Sequence, residues 1–92
     1  MIFINKNFKF LKLMSNKDKY IKIFVKSFGI DKSKLNKDIK FNSIKKWDSV
    51  GHMNMIAKLE SEFKITMEMD DIIDFSSFKT GIKILKKYKI KI

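Results

Sequence analysis

The chain has 92 residues, so the prior is one domain and one small core. It has no Cys, which excludes disulfides, thiolate metal sites and cysteine nucleophiles. It has no Pro and only three Gly, which argues for helices over a turn-rich β-sandwich. The formal charge is +11, but 45% of residues are hydrophobic, too many for wholesale disorder.

All 21 basic residues are Lys. Lys, Ile, Phe and Asn share A/T-rich codons, so part of the basicity fits genome bias rather than a binding role. Taken at face value, a charge of +11 points to nucleic acid or an anionic membrane. The distribution is more informative than the total. Residues 1–47 carry net +10, residues 48–75 net −5 and residues 76–92 net +6. The middle third is an acidic island in a basic chain, which sets which face meets which partner.

Residues 1–14 mix apolar residues with three Lys. The run is too short and interrupted to span a membrane, and it lacks the apolar stretch and cleavage site of a signal peptide. It reads as a loosely ordered basic extension ahead of a domain at 15–92, because termini are usually poorly tied down, and Met14-Ser15 would make a natural start. A short strand and a basic interfacial anchor are the alternatives.

Ser15-x-x-Asp18 resembles a capping box and opens a helix over about 16–28. Ile21, Phe24, Val25 and Phe28 supply its apolar face, and Gly29 stands at its expected C-terminal glycine position. Residues 30–47 form a long connection, anchored by Leu35, Ile39, Phe41 and Ile44, with a short helical turn expected near 33–37.

Asp48-Ser49 opens the best-patterned helix, about 49–63. Met55, Ile56, Leu59 and Phe63 face its core side, and Val50, Met53 and Ala57 make a second stripe. Ile65, Met67 and Met69 alternate along a linker, and residues 70–75 read as one or two helical turns. Ser76 or Ser77 caps a last helix that buries Phe78, Ile82, Leu85 and Tyr88. Gly81 is unfavourable inside it by about 1 kcal/mol, so close packing is expected there. The expected fold is an all-α, up-down bundle of three main helices plus one short helix, with a long first loop.

The run from Trp47-Asp48-Ser49-Val50 through Leu59-Glu60-Ser61-Glu62-Phe63 resembles the acyl carrier protein family. Asp70-Asp71-Ile72 and Phe75-Ser76-Ser77-Phe78 resemble that family's third helix and the start of its fourth, and the likeness covers about 15–88. The resemblance implies a non-catalytic carrier. It would be modified on Ser49 with 4′-phosphopantetheine, taken from coenzyme A by a holo-carrier synthase. It would then hold an acyl group as a thioester for acyl-loading and acyl-transferring enzymes. Asp48 would be the acid that presents the site to the synthase, and a helix N-terminus suits a phosphodiester.

The acidic island then becomes a docking face for basic partner enzymes, through Glu60, Glu62, Asp70, Asp71 and Asp74. His52 and Asn54 stand where the family commonly has acids, so contacts near Ser49 are expected to be more apolar, through Val50 and Met53. An acyl cavity is expected from Met55, Ile56, Leu59, Phe63 and Ile73, with Met53, Met67 and Met69 as adaptable filler or as ordinary packing. His52 reads as a surface residue beside the site, and Trp47 as an anchor for the loop or a partner contact. A Ser-His-Asp hydrolase is disfavoured, because the three residues are nearly consecutive and no separate scaffold would hold the base against the nucleophile or supply an oxyanion hole.

The family is usually acidic, so the basicity favours a dedicated pathway over the housekeeping fatty-acid synthase. The cargo stays open between fatty acyl, a specialised lipid, glycan or polyketide acyl group, and an amino acid. A cytoplasmic monomer with no nucleic acid bound, no metal and no stable membrane insertion is expected. The rival reading is a basic helical module that binds nucleic acid or a membrane.

Overall fold

A computed structural model of the chain describes residues 14–35 and 39–92. The described part is all-α. Helix α1 is Asn16–Phe28, α2 is Ser49–Phe63, α3 is Met69–Asp74 and α4 is Phe78–Lys87. A single 3₁₀ turn at Lys32–Lys34 sits in the first connection. The expected turn near 33–37 thus starts earlier, and its far end lies outside the described residues. The expected extension at 1–14 also lies outside them, apart from Met14. Among the described residues no helix is long and apolar enough to cross a membrane.

Local chemistry sets the helix ends. Ser15 Oγ accepts from the Asp18 N–H at 3.0 Å, and Gly29 takes the left-handed conformation (φ 62°) and closes α1 onto the Val25 carbonyl. Ser77, not Ser76, caps α4, accepting from the Thr80 N–H at 2.9 Å.

The α1 face differs from the expected one by a fraction of a turn. Tyr20, Ile23, Phe24 and Phe28 are buried, whereas Ile21 and Val25 are half-buried at its edge. Aromatic packing decides the rotation. Phe24 meets Trp47 edge-on at 5.2 Å, Phe28 stacks on Trp47 at 4.9 Å, and Tyr20 and Phe24 both meet Phe78. The Tyr20 hydroxyl donates to the Phe78 carbonyl at 2.8 Å, so the tyrosine can turn inward without an orphaned polar group. Burial pushes its pKa well above the ordinary phenol value.

Gly81 is where this packing is tightest. A Cβ there would come within 2.2 Å of both Phe75 Cζ and the Tyr20 hydroxyl oxygen. On α4, Ile84 is buried in addition to Phe78 and Leu85, and Ile82 and Tyr88 are half-buried.

The long connection returns to the bundle through an antiparallel bridge between Lys40 and Ser77. Phe41 N–H donates to the Ser76 carbonyl and Phe78 N–H to the Ile39 carbonyl, both at 2.8 Å. A turn then carries the chain from Lys40 to Trp47, with Asn42 at φ 66°, a conformation Asn tolerates better than most residues. The bridge seats Trp47, wholly buried, directly ahead of α2.

Candidate functional site

Ser49 is the first residue of α2 and is exposed. Asp48 is the N-cap: its Oδ1 accepts from the Gly51 N–H at 2.8 Å. Gly51 lets the preceding turn lie flat on the helix start. A Cβ there would fall 1.9 Å from the Lys46 backbone carbonyl, a contact that excludes every other residue without a backbone shift. That requirement comes from the path of the preceding turn, and the helical apolar pattern carries no sign of it.

Beside Ser49 an apolar groove of about 330 Å³ opens between α2 and α3. Ser49, His52 and Met53 line it from α2, Met69, Ile72 and Ile73 from α3, with Phe41, Phe75 and Ser76 completing it. Phe41 reaches the groove because the Lys40–Ser77 bridge holds its backbone there. Val50, Met53, Met69 and Ile73 are 70%, 50%, 67% and 68% exposed, so among the described residues the large apolar side chains left in water gather around Ser49.

His52 is not a free surface group. Its Nδ1 accepts from the Trp47 indole N–H at 2.9 Å, and its Nε2 lies 2.8 Å from the Ile72 carbonyl. One tautomer satisfies both contacts, with the proton on Nε2 donated to Ile72. The ring is parallel to Trp47 and edge-on to Phe41 and Phe75. His52 thus clasps the loop, α2 and α3 together, and neither nitrogen is left to activate Ser49.

The expected cavity residues separate into two groups. Met55, Ile56 and Leu59 are sealed in the main core and Phe63 is half-buried; none of the four lines the groove. Their spacing made them core residues, and the bundle core leaves them no open wall. Ile73 alone of that set lies in the groove, joined there by Met53 and Met69. Met67 is buried in the core.

The acidic residues also divide. Asp70 and Asp74 are exposed on α3, and Glu62 is exposed with its carboxylate 3.9 Å from Lys19. Glu60 turns back to accept from the Met67 N–H at 2.9 Å, which fixes the connection after α2. Asp71 is buried, contrary to its expected place on a docking face. It accepts from Lys87 at 2.6 Å and from the Tyr88 hydroxyl, which in turn accepts from the Glu68 N–H. The Lys87 ammonium, then Tyr88, hold the Asp71 carboxyl below its ordinary value, and Asp71 raises Lys87 and Tyr88.

No group of three or more potential metal ligands gathers among the described residues. No family model, curated protein or solved structure matches the chain.

Proposed function

We propose that the chain is an acyl carrier, modified on Ser49 with 4′-phosphopantetheine and loaded with an acyl group for partner enzymes. The observation that carries this reading is one juxtaposition: an exposed serine at the first position of a 15-residue helix, opening onto an apolar groove. The residues fit such an arm. A phosphodiester on Ser49 would lie at the positive end of α2, near first-turn N–H groups that lack helical partners. Asp48 uses Oδ1 for the cap, and Oδ2 makes no hydrogen bond among the described residues, so it can face a transferase. The arm supplies the thiol that this cysteine-free chain lacks. The groove gives an apolar cargo a place beside the attachment point, and Val50, Met53, Met69 and Ile73 give partner enzymes an apolar contact. Asp70 and Asp74 border that contact from α3. The departure from an acidic face near Ser49 favours a carrier dedicated to one pathway.

The test is intact mass after incubation with coenzyme A, Mg²⁺ and a broad-specificity phosphopantetheinyl transferase, with Ser49→Ala alongside. One added phosphopantetheine on the parent and none on the variant is expected. A folded parent that gains nothing, from this transferase or from a panel of others, overturns the proposal.

A further inference from the structure

A second groove, of about 340 Å³, lies between α1 and α2. Lys19, Lys22 and Lys26 line it from α1 and Lys58 from α2, with Met14 and Ile23 as its apolar part. At about 100° and 1.5 Å per residue, Lys58 stands roughly 180° round α2 from Ser49 and about 14 Å further along, so the two grooves occupy opposite flanks. Among the described residues one carboxylate lines it, that of Glu62, 3.9 Å from Lys19. Both partners of that pair are part-exposed, so it offsets little. Lys19, Lys22 and Lys26 repeat at three and four residues, a spacing at which like charges oppose the helix they sit on. Asp18 lies one turn before Lys22 and Lys26 sits at the C-terminal end of α1, so the helix offsets part of this repulsion, but the groove keeps a net positive lining.

We infer that this groove docks an acidic amphipathic segment of a partner protein. Charge complementarity selects the acid: among the described residues four lysines and one glutamate line the groove. The apolar part selects the amphipathic pattern, because the half-buried Met14 wants an aliphatic side chain between the acids. The concave shape selects a protein segment over a bilayer, which would meet only the rim. Nucleic acid is disfavoured because, among the described residues, no aromatic ring lines the groove for a base to stack on. This inference stands independently of the carrier reading. If both hold, a partner seated here leaves the Ser49 flank free.

The test is fluorescence anisotropy of the full chain with a labelled peptide of Glu and Leu at helical spacing. The affinity should fall steeply with salt. Lys22→Glu/Lys26→Glu should weaken binding by at least about tenfold, whereas Lys79→Glu/Lys83→Glu on α4, with the same change in charge, should cost less than about threefold. Lys22→Gln/Lys26→Gln, which adds no acid and keeps the helix, should give the same ranking. Equal losses for the α1 and α4 pairs would reduce the effect to net charge and overturn the site. So would equal binding of a peptide with Ser in place of Leu. Tighter binding of phosphatidylserine vesicles or single-stranded DNA, sensitive to the α1 pair, would also overturn it by assigning the groove to that class.

Discussion

The two sides of α2 are held by different physics. Towards α1 and α4, Tyr20, Phe24, Trp47, Phe75 and Leu85 are all 0% exposed, and aromatic rings pack edge to face. Burying one such side chain is worth about 1.5–3 kcal/mol, so area alone holds this half together. Towards α3, the exposed Met69 and Ile73 bury little. A helix of six residues cannot stand on propensity. It hangs between two buried anchors, Met67 and Phe75, and is fixed by polar clasps on adjacent residues. Asp71 binds Lys87 and Tyr88 of the α4 end, and the Ile72 carbonyl binds His52 of α2. The contrast teaches that stability and site geometry are largely separable here: one half makes the fold, and the other shapes the groove beside Ser49.

The largest effects belong to the packed half. Trp47→Ala should lose about 3–5 kcal/mol in chemical denaturation followed by circular dichroism. Gly81→Ala should lose about 1–3 kcal/mol, because its methyl has no room between Phe75 and Tyr20. A fully tolerated Gly81→Ala would mean the α1–α4 contact is looser than the packing described, and the contrast with α3 would fade.

The packed half was also the more legible in sequence. The limits of α1 and α2 follow from Ser15, Gly29 and Asp48 and from apolar spacing, all local signals. Which face of α1 turns inward was not local: Tyr20 replaces Ile21 because its hydroxyl finds the Phe78 carbonyl, 58 residues away. Of the candidate site, the position of Ser49 at a helix start was legible through capping chemistry. The groove was not. Phe41 arrives through a bridge to Ser77, and His52 reads as a surface residue until Trp47 and Ile72 meet it. Asp71 looked like its exposed neighbours because nothing in an acidic run tells which member a distant Lys87 and Tyr88 will claim.

The clasps should give intermediate effects that separate the halves. His52→Leu strips the Trp47 indole of its acceptor and should lose about 1–3 kcal/mol. Amide hydrogen exchange should rise in α3 before it rises in α1; a parallel rise would show that α3 is not a separate unit. Asp71 makes a pH-dependent contribution whose sign follows from its lowered pKa. The contribution is present above the ordinary carboxylate range and is lost as pH falls through about 4 and below. Thermal unfolding from pH 7 to 3 should therefore show a smaller fall for Asp71→Asn than for the parent. The effect is modest, because the Lys87 side chain is 64% exposed and its charge is screened.

The smallest stability change should come from Ile73→Ser. Ile73 is 68% exposed, so the substitution removes little buried area and should shift stability by no more than about 0.5 kcal/mol. The same change at Ile56, 1% exposed, should prevent stable folding, which fixes the scale of the comparison. Yet Ile73 lines the groove beside Ser49. On the carrier reading, Ile73→Ser should raise the KM for modification of Ser49 severalfold and leave kcat nearly unchanged, because it removes an apolar contact and no group near the reacting hydroxyl. A large loss of stability would show that α3 is packed after all. An unchanged KM with intact folding would show that the transferase reads α2 alone, and would move the apolar contact from the α3 side of the groove to Val50 and Met53.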